Sequence, residues 1–139
     1  MDSPDNYPRI DEDNIRFSDT DALGHVNNTA VAAYLETGRG LLMEAVGTLG
    51  GEAGLQTVIV RLEIDYIAEM RWPGRVVIGT RIAALGRSSV TIEQALFQDG
   101  RCTARARSVV VAFDMVARCA VPIPDEHRAR YRVYMVPEG

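Results

Sequence analysis

The sequence predicts an α+β fold, an antiparallel sheet packed on one long helix. Apolar residues recur at helical spacing in a single stretch that begins at Asn28. After Val58 the chain alternates in steps of two, broken at Pro73-Gly74, Gly86-Arg87 and Asp99-Gly100. A glycine-containing loop with carboxylates, residues 19–28, runs straight into the helix start.

The elements follow in order. Residues 1–13 are polar and acidic and read as a loose leader, and residues 15–18 as a short strand entering the loop. Val31, Tyr34, Leu35, Leu42, Ala45 and Leu49 form the helix stripe, with Glu36, Arg39 and Glu44 mostly off it. Asn27 or Asn28 can cap the start, and Gly47, Gly50 and Gly51 mark the end. Gly38 and Gly40 each cost a helix roughly 1 kcal/mol relative to alanine, which predicts close approach to a flat neighbour such as a sheet.

The remainder reads as strand. Val58, Val60, Leu62, Ile64 and Tyr66 alternate with Ile59, Arg61, Glu63 and Asp65, giving one mainly polar face. Strands over residues 76–85, 89–98 and 101–113 complete a meander, with Asp99-Gly100 as a hairpin turn. Residues 115–139 read as an irregular tail whose Arg128, Arg130 and Arg132 are solvated. The whole, residues 1–139, is expected to be one domain.

Composition narrows the function. No apolar run is long enough to cross a bilayer, and the N-terminus lacks the parts of a signal peptide, so a cytoplasmic protein without membrane insertion is expected. A net charge of −4 argues against nucleic-acid binding. Cys102, Cys119, His25 and His127 have no metal-ligand spacing, so no metal is expected. All 15 basic residues are arginine, which suits bidentate phosphate contacts but has a compositional explanation as well.

The loop holds the chemistry. A helix start presents unpaired N–H groups and partial positive charge, a place for a developing oxyanion. A carboxylate beside it supplies what acyl transfer needs. Asp21 can act as nucleophile or general base, or merely cap its own turn. Gly24 permits a positive φ or a close ligand. Asn27 and Asn28 can cap the helix, orient Asp21 or hold a water, and Glu36 can pair with Arg39 on the helix surface.

Asp19-Thr20-Asp21-Ala22-Leu23-Gly24-His25-Val26-Asn27-Asn28 resembles the active-site signature of the hotdog-fold acyl-CoA thioesterases, in the 4-hydroxybenzoyl-CoA thioesterase-like branch. The likeness extends from Arg16 to about Phe113, with Ile64-Asp65-Tyr66 the best match in the strands. It implies the hotdog fold, an antiparallel sheet wrapped around one long central helix. It assigns the catalytic role to Asp21 and a structural one to Asp19. It places the backbone N–H near Asn28 against the thioester carbonyl, with Gly24, His25, Val26 and Asn27 lining the turn. His25 is then a supporting or substrate-contacting residue, or an ordinary loop residue. Glu36 matches a glutamate of the family pattern, and other branches use a helix glutamate as catalyst. Arg87 and Ser88 resemble a stretch where CoA contacts fall, and Arg61, Glu63 and Asp65 lie on a strand the family places near the dimer contact. Relatives often carry a tyrosine where this chain has Val31, a space that Tyr34 could fill.

The expected function is hydrolysis of an acyl-CoA or acyl-carrier-protein thioester, with no cofactor beyond the CoA of the substrate. A homodimer or homotetramer with sites at the subunit interface is expected. The alternatives are a non-hydrolytic acyl-CoA or acyl-carrier binding module, a hotdog dehydratase or hydratase, and an interaction protein without a small ligand.

Overall fold

The computed structural model describes residues 2–50 and 54–136. Gly51, one of the glycines read as ending the helix, lies outside them, as do the first residue and the last three. The elements are β1 (Arg9–Ile15), α1 (Asn28–Val46), β2 (Leu55–Tyr66), β3 (Gly74–Leu85), β4 (Ser89–Gln98), β5 (Arg101–Asp114), β6 (Cys119–Ala120) and α2 (Asp125–Arg132). The pairings between these strands are antiparallel, in the order β1-β3-β4-β5-β2, with the short β6 also on β5.

α1 matches its sequence signals. Asn27 Oδ1 accepts from the Ala30 N–H at 2.9 Å, and Gly47 closes the helix in the left-handed region at φ 87°. Val31, Tyr34, Leu35 and Leu42 are buried as the stripe predicts, whereas Ala45 is exposed and Leu49 lies past the helix end. Arg39, read as lying off the stripe, is buried, and its guanidinium reaches Gln94 Oε1 at 3.4 Å. Gly38 meets the sheet: a Cβ there would sit 2.6 Å from Ile78 Cγ2 and 2.7 Å from Gln94 Nε2. Gly40 does not, since nothing lies within 4 Å of its Cβ position.

The leader needs correction. Residues 9–15 form edge strand β1, paired with β3 from Arg9↔Thr80 to Ile15↔Gly74. Directly opposed residues share a face, so Arg9, Asp11 and Asp13 face the same side as Ile78 and Val76. A strand with charges on its core-facing side shows no apolar alternation. Arg9 and Asp11 neutralise each other there at 2.9 Å. Of the strand expected over residues 15–18 only Ile15 belongs to a strand, and Phe17–Asp19 is a 3-10 turn.

The tail is not irregular either. β6 and α2 occupy it, and α2 buries only Tyr131, too little to leave a periodic trace. Arg128 and Arg130 are tied down rather than simply solvated, whereas Arg132 is exposed as expected. Arg130 Nη1 donates to Val46 O at 3.0 Å, putting positive charge on the carbonyl end of α1. Arg128 Nη2 donates to Gly86 O at 2.9 Å.

β2 departs from simple alternation. Its pairing with β5 slips between Ile59↔Val110 and Arg61↔Val109, leaving Val60 as a bulge. Ile59 therefore shares the helix-facing side with Leu62, Ile64 and Tyr66, while Val58 shares the outer side with Val111. α1 lies over β1, β3 and β4. The far end of the inner face stays open, with Ile59 48%, Leu62 38% and Tyr66 53% exposed.

Candidate active site

Hydrogen bonds fix the loop between β1 and α1 at both ends. Asp19 Oδ2 accepts from the Tyr34 hydroxyl at 2.5 Å and from the Arg16 N–H at 2.9 Å, a structural role. The Asn27 N–H donates to Asp19 O at 2.9 Å, and the Val26 N–H to Met70 O at 2.9 Å. Between these anchors residues 21–25 form a tight turn: the Asp21 N–H donates to His25 O at 2.8 Å, and Gly24 takes φ 80°. A side chain at Gly24 would be strained by that φ alone.

Asp21 is exposed and does two things at once. Its Oδ1 accepts from the Leu23 N–H at 2.8 Å and the His25 N–H at 3.2 Å, so it does cap its turn. Oδ2 has no partner among the described residues. The carboxylate is thus held by one oxygen and presents the other. It lines an open cleft of about 320 Å³ with His25, Val26, Asn28, Val31 and Tyr66. The start of α1 reaches the same cleft. Asn27 satisfies the Ala30 N–H, and the N–H groups of Asn28 and Thr29 have no acceptor among the described residues. Asp21, with a free carboxylate oxygen, and Asn28, with a free N–H, therefore border a single space.

His25 Nε2 lies 3.2 Å from Glu69 Oε2, which Arg71 also approaches at 3.4 Å. The imidazole is oriented by a carboxylate outside the loop, which suits a supporting residue. Val31 is buried at the cleft wall. Tyr34 does not fill the space beside it, because its hydroxyl is committed to Asp19. The wall opposite the loop comes from the irregular segment Ile67, Ala68, Glu69 and Met70, with Thr103. Ile67 and Ala68 both donate their N–H groups to Thr103 O. No periodicity marks that segment, and the reading of the sequence passed over it.

The other candidates lie apart. Glu36 is exposed, eight residues into α1 and roughly 12 Å from its start. No ion pair within 4.0 Å joins it to Arg39, whose guanidinium turns inward; burial lowers that group below its ordinary pKa and Glu36 partly offsets this. Arg87 and Ser88 sit in the β3–β4 turn, where Ser88 O accepts from the Ala112 N–H. That is nine residues along β5 from Thr103, or roughly 30 Å, so one protomer does not bring them to Asp21. Arg61 and Glu63 pair with each other on the outer face of β2. Among the described residues no three His, Cys, Asp or Glu side chains are grouped to hold a metal ion. No helix there is long and apolar enough to cross a membrane.

A curled antiparallel sheet around a central helix, with a carboxylate loop at that helix's start, defines the hotdog-fold thioesterase class. The chain belongs to the thioesterase-like superfamily, whose family model matches residues 15–131. A Bacillus stearothermophilus protein described as a predicted thioesterase is 32% identical with a TM-score of 0.86, over 94% of this chain and 98% of that one. A thioesterase of Thermus thermophilus, solved with coenzyme A and zinc, is 28% identical with a TM-score of 0.80, over 91% and 92%. The uncharacterised protein YsmA of Bacillus subtilis strain 168 is 28% identical over 78 residues, 56% of this chain and 53% of that protein. The match thus spans about half the length of that curated relative.

Proposed function

We propose that this protein hydrolyses an acyl-CoA or acyl-pantetheine thioester to the free acid and thiol. The observation that carries the reading is the cleft bordered by Asp21, with its free oxygen, and by Asn28, with its free N–H, at the start of α1. Membership of the thioesterase-like superfamily and the coenzyme A in the Thermus thermophilus relative support it. With the thioester carbonyl against the start of α1, the N–H groups and the helix dipole stabilise the tetrahedral oxyanion. Such a donor contributes about 2.7–4 kcal/mol in the transition state. Asp21 either attacks the carbonyl carbon, expelling thiolate and leaving an anhydride that water cleaves, or takes a proton from the attacking water. Either route ends in carboxylate and thiol without a further cofactor.

The active unit in this reading is a homodimer, or a tetramer of two such dimers, in the cytoplasm. The two sheet edges differ in a way that supports it. β1 turns Arg9, Asp11 and Asp13 inward, a pattern that discourages edge pairing. β2 instead leaves Ile59 and Val60 exposed, at 48% and 62%. Antiparallel pairing of two β2 edges about a two-fold axis exchanges the ends of the sheets. The turn with Arg87 and Ser88 in one copy then approaches the Asp21 cleft of the other, where they would hold the CoA phosphate.

Thiol release from a panel of aliphatic and aromatic acyl-CoAs tests the proposal. Turnover supports it. Tight binding of CoA esters without turnover would instead make the protein a binding module on the same fold.

A further inference from the structure

A second cavity of about 250 Å³ lies between the end of α1, α2 and the inner face of β2 and β5, and the mechanism above does not use it. Leu55, Val90, Ala112, Ile123 and Tyr131 form apolar walls, and among the described residues no carboxylate or arginine lines it. The Tyr131 hydroxyl lies 3.3 Å from both Thr48 Oγ1 and Met43 Sδ, so these polar groups satisfy one another. Gln56, Thr57 and His127 also line it, and their side chains have no hydrogen-bond partner among the described residues. An apolar space without a fixed charge suits a neutral hydrocarbon ligand.

In one protomer this cavity is far from the chemistry. It meets β5 at Ala112 and the Asp21 cleft meets it at Thr103, nine residues or roughly 30 Å apart. β2 connects the two differently. Its first residues, Leu55 to Thr57, line the cavity, and its last, Tyr66, lines the cleft. Antiparallel pairing of two β2 edges brings the beginning of one strand beside the end of the other. The cavity of one copy then continues the cleft of the second.

We propose that this cavity is the acyl pocket for the Asp21 cleft of a second copy, and that it takes a neutral aliphatic chain. The inference rests on the thioesterase reading and on β2 pairing. At roughly 30 Å³ for a group the size of water, 250 Å³ holds about eight methylenes, so medium-length chains fit.

The test compares acetyl-CoA with octanoyl-CoA in the wild type, Thr57→Phe and Ala112→Leu, with circular dichroism and size exclusion reporting fold and assembly. The wild type favours octanoyl-CoA in kcat/KM, and either filled variant lowers the octanoyl-to-acetyl ratio by about tenfold or more. An unchanged ratio in a folded, dimeric variant overturns the pocket while leaving the thioesterase reading intact. If the wild type cleaves neither ester, the thioesterase reading fails and the pocket is judged by binding. Octanoyl-CoA binding tighter than CoA, with the difference lost in Thr57→Phe, sustains it; equal affinities overturn it.

Discussion

The Tyr34 hydroxyl donates to Asp19 Oδ2 at 2.5 Å, across 15 positions of sequence, and so ties the loop that carries Asp21 to the buried face of α1. Asp19 also receives the Arg16 N–H through the same oxygen, and its carbonyl receives the Asn27 N–H. One residue thereby sets the distance between the turn that carries Asp21 and the helix start. Tyr34→Phe removes a hydrogen bond to a carboxylate, at a cost of about 1.5–3 kcal/mol. Urea unfolding should show that loss; an unchanged midpoint would mean the bond contributes nothing net.

Asp21→Asn keeps a turn-capping oxygen but cannot attack or accept a proton. Thiol release should fall by about 100-fold or more in a folded protein. His25→Gln removes only a side chain oriented by Glu69 and should cost far less. A larger loss at His25 than at Asp21 would move the base to the histidine.

Three tyrosines make the fold sensitive to alkali. Burial, then the Asp19 hydrogen bond, raises Tyr34 above its ordinary 10.0. Burial and Asp2 push Tyr7 up to about 12. Burial also raises Tyr131, although Thr48 opposes the shift. A folded pKa above the unfolded one gives stability that is complete below pH 10 and is lost as pH rises through the folded value. Urea midpoints should therefore decline between about pH 10 and 12. Full tyrosinate absorbance near pH 10 in the folded protein would contradict this.

Gly38 and Gly40 should respond oppositely to alanine. At Gly38 the new Cβ collides with Ile78 and Gln94, costing about 1–3 kcal/mol. At Gly40 the space is open, and helix propensity should add up to about 1 kcal/mol. Thermal unfolding reads both. A loss at Gly40 would reveal a second copy's surface lying against that part of α1.

Ile59→Lys places a charge on the inner face of the exposed strand edge. If the β2 edges pair as proposed, light scattering should show a wild-type dimer and a monomeric variant, with loss of the proposed thiol release. A stable dimer would place the contact elsewhere.

The sequence made some parts of this molecule legible and hid others. α1 was readable because its cap, stripe and closing glycine agree, and β4 because Gly86 and Asp99-Gly100 bracket it. β1 was hidden because its inward residues are charged, and α2 because it buries a single side chain. In the site, the loop was visible as a contiguous run. Glu69, Met70 and Thr103 were not, since register alone brings them to Asp21. The cavity beneath α2 was equally invisible, being assembled from several separate segments.

The bulge at Val60 limits how this chain can change length. It is the one place where β2 exchanges which side chains face the helix. Deleting Val60 would straighten the strand and leave both halves on their present faces, because Ile59↔Val110 and Arg61↔Val109 already follow in step along β5. Adding or removing a residue elsewhere in β2 would turn the side chains beyond that point over, taking Thr57 from the cavity side to the outer surface when the change falls between it and the bulge. Variants of this strand that differ in length by one residue should therefore cluster at the bulge among working relatives.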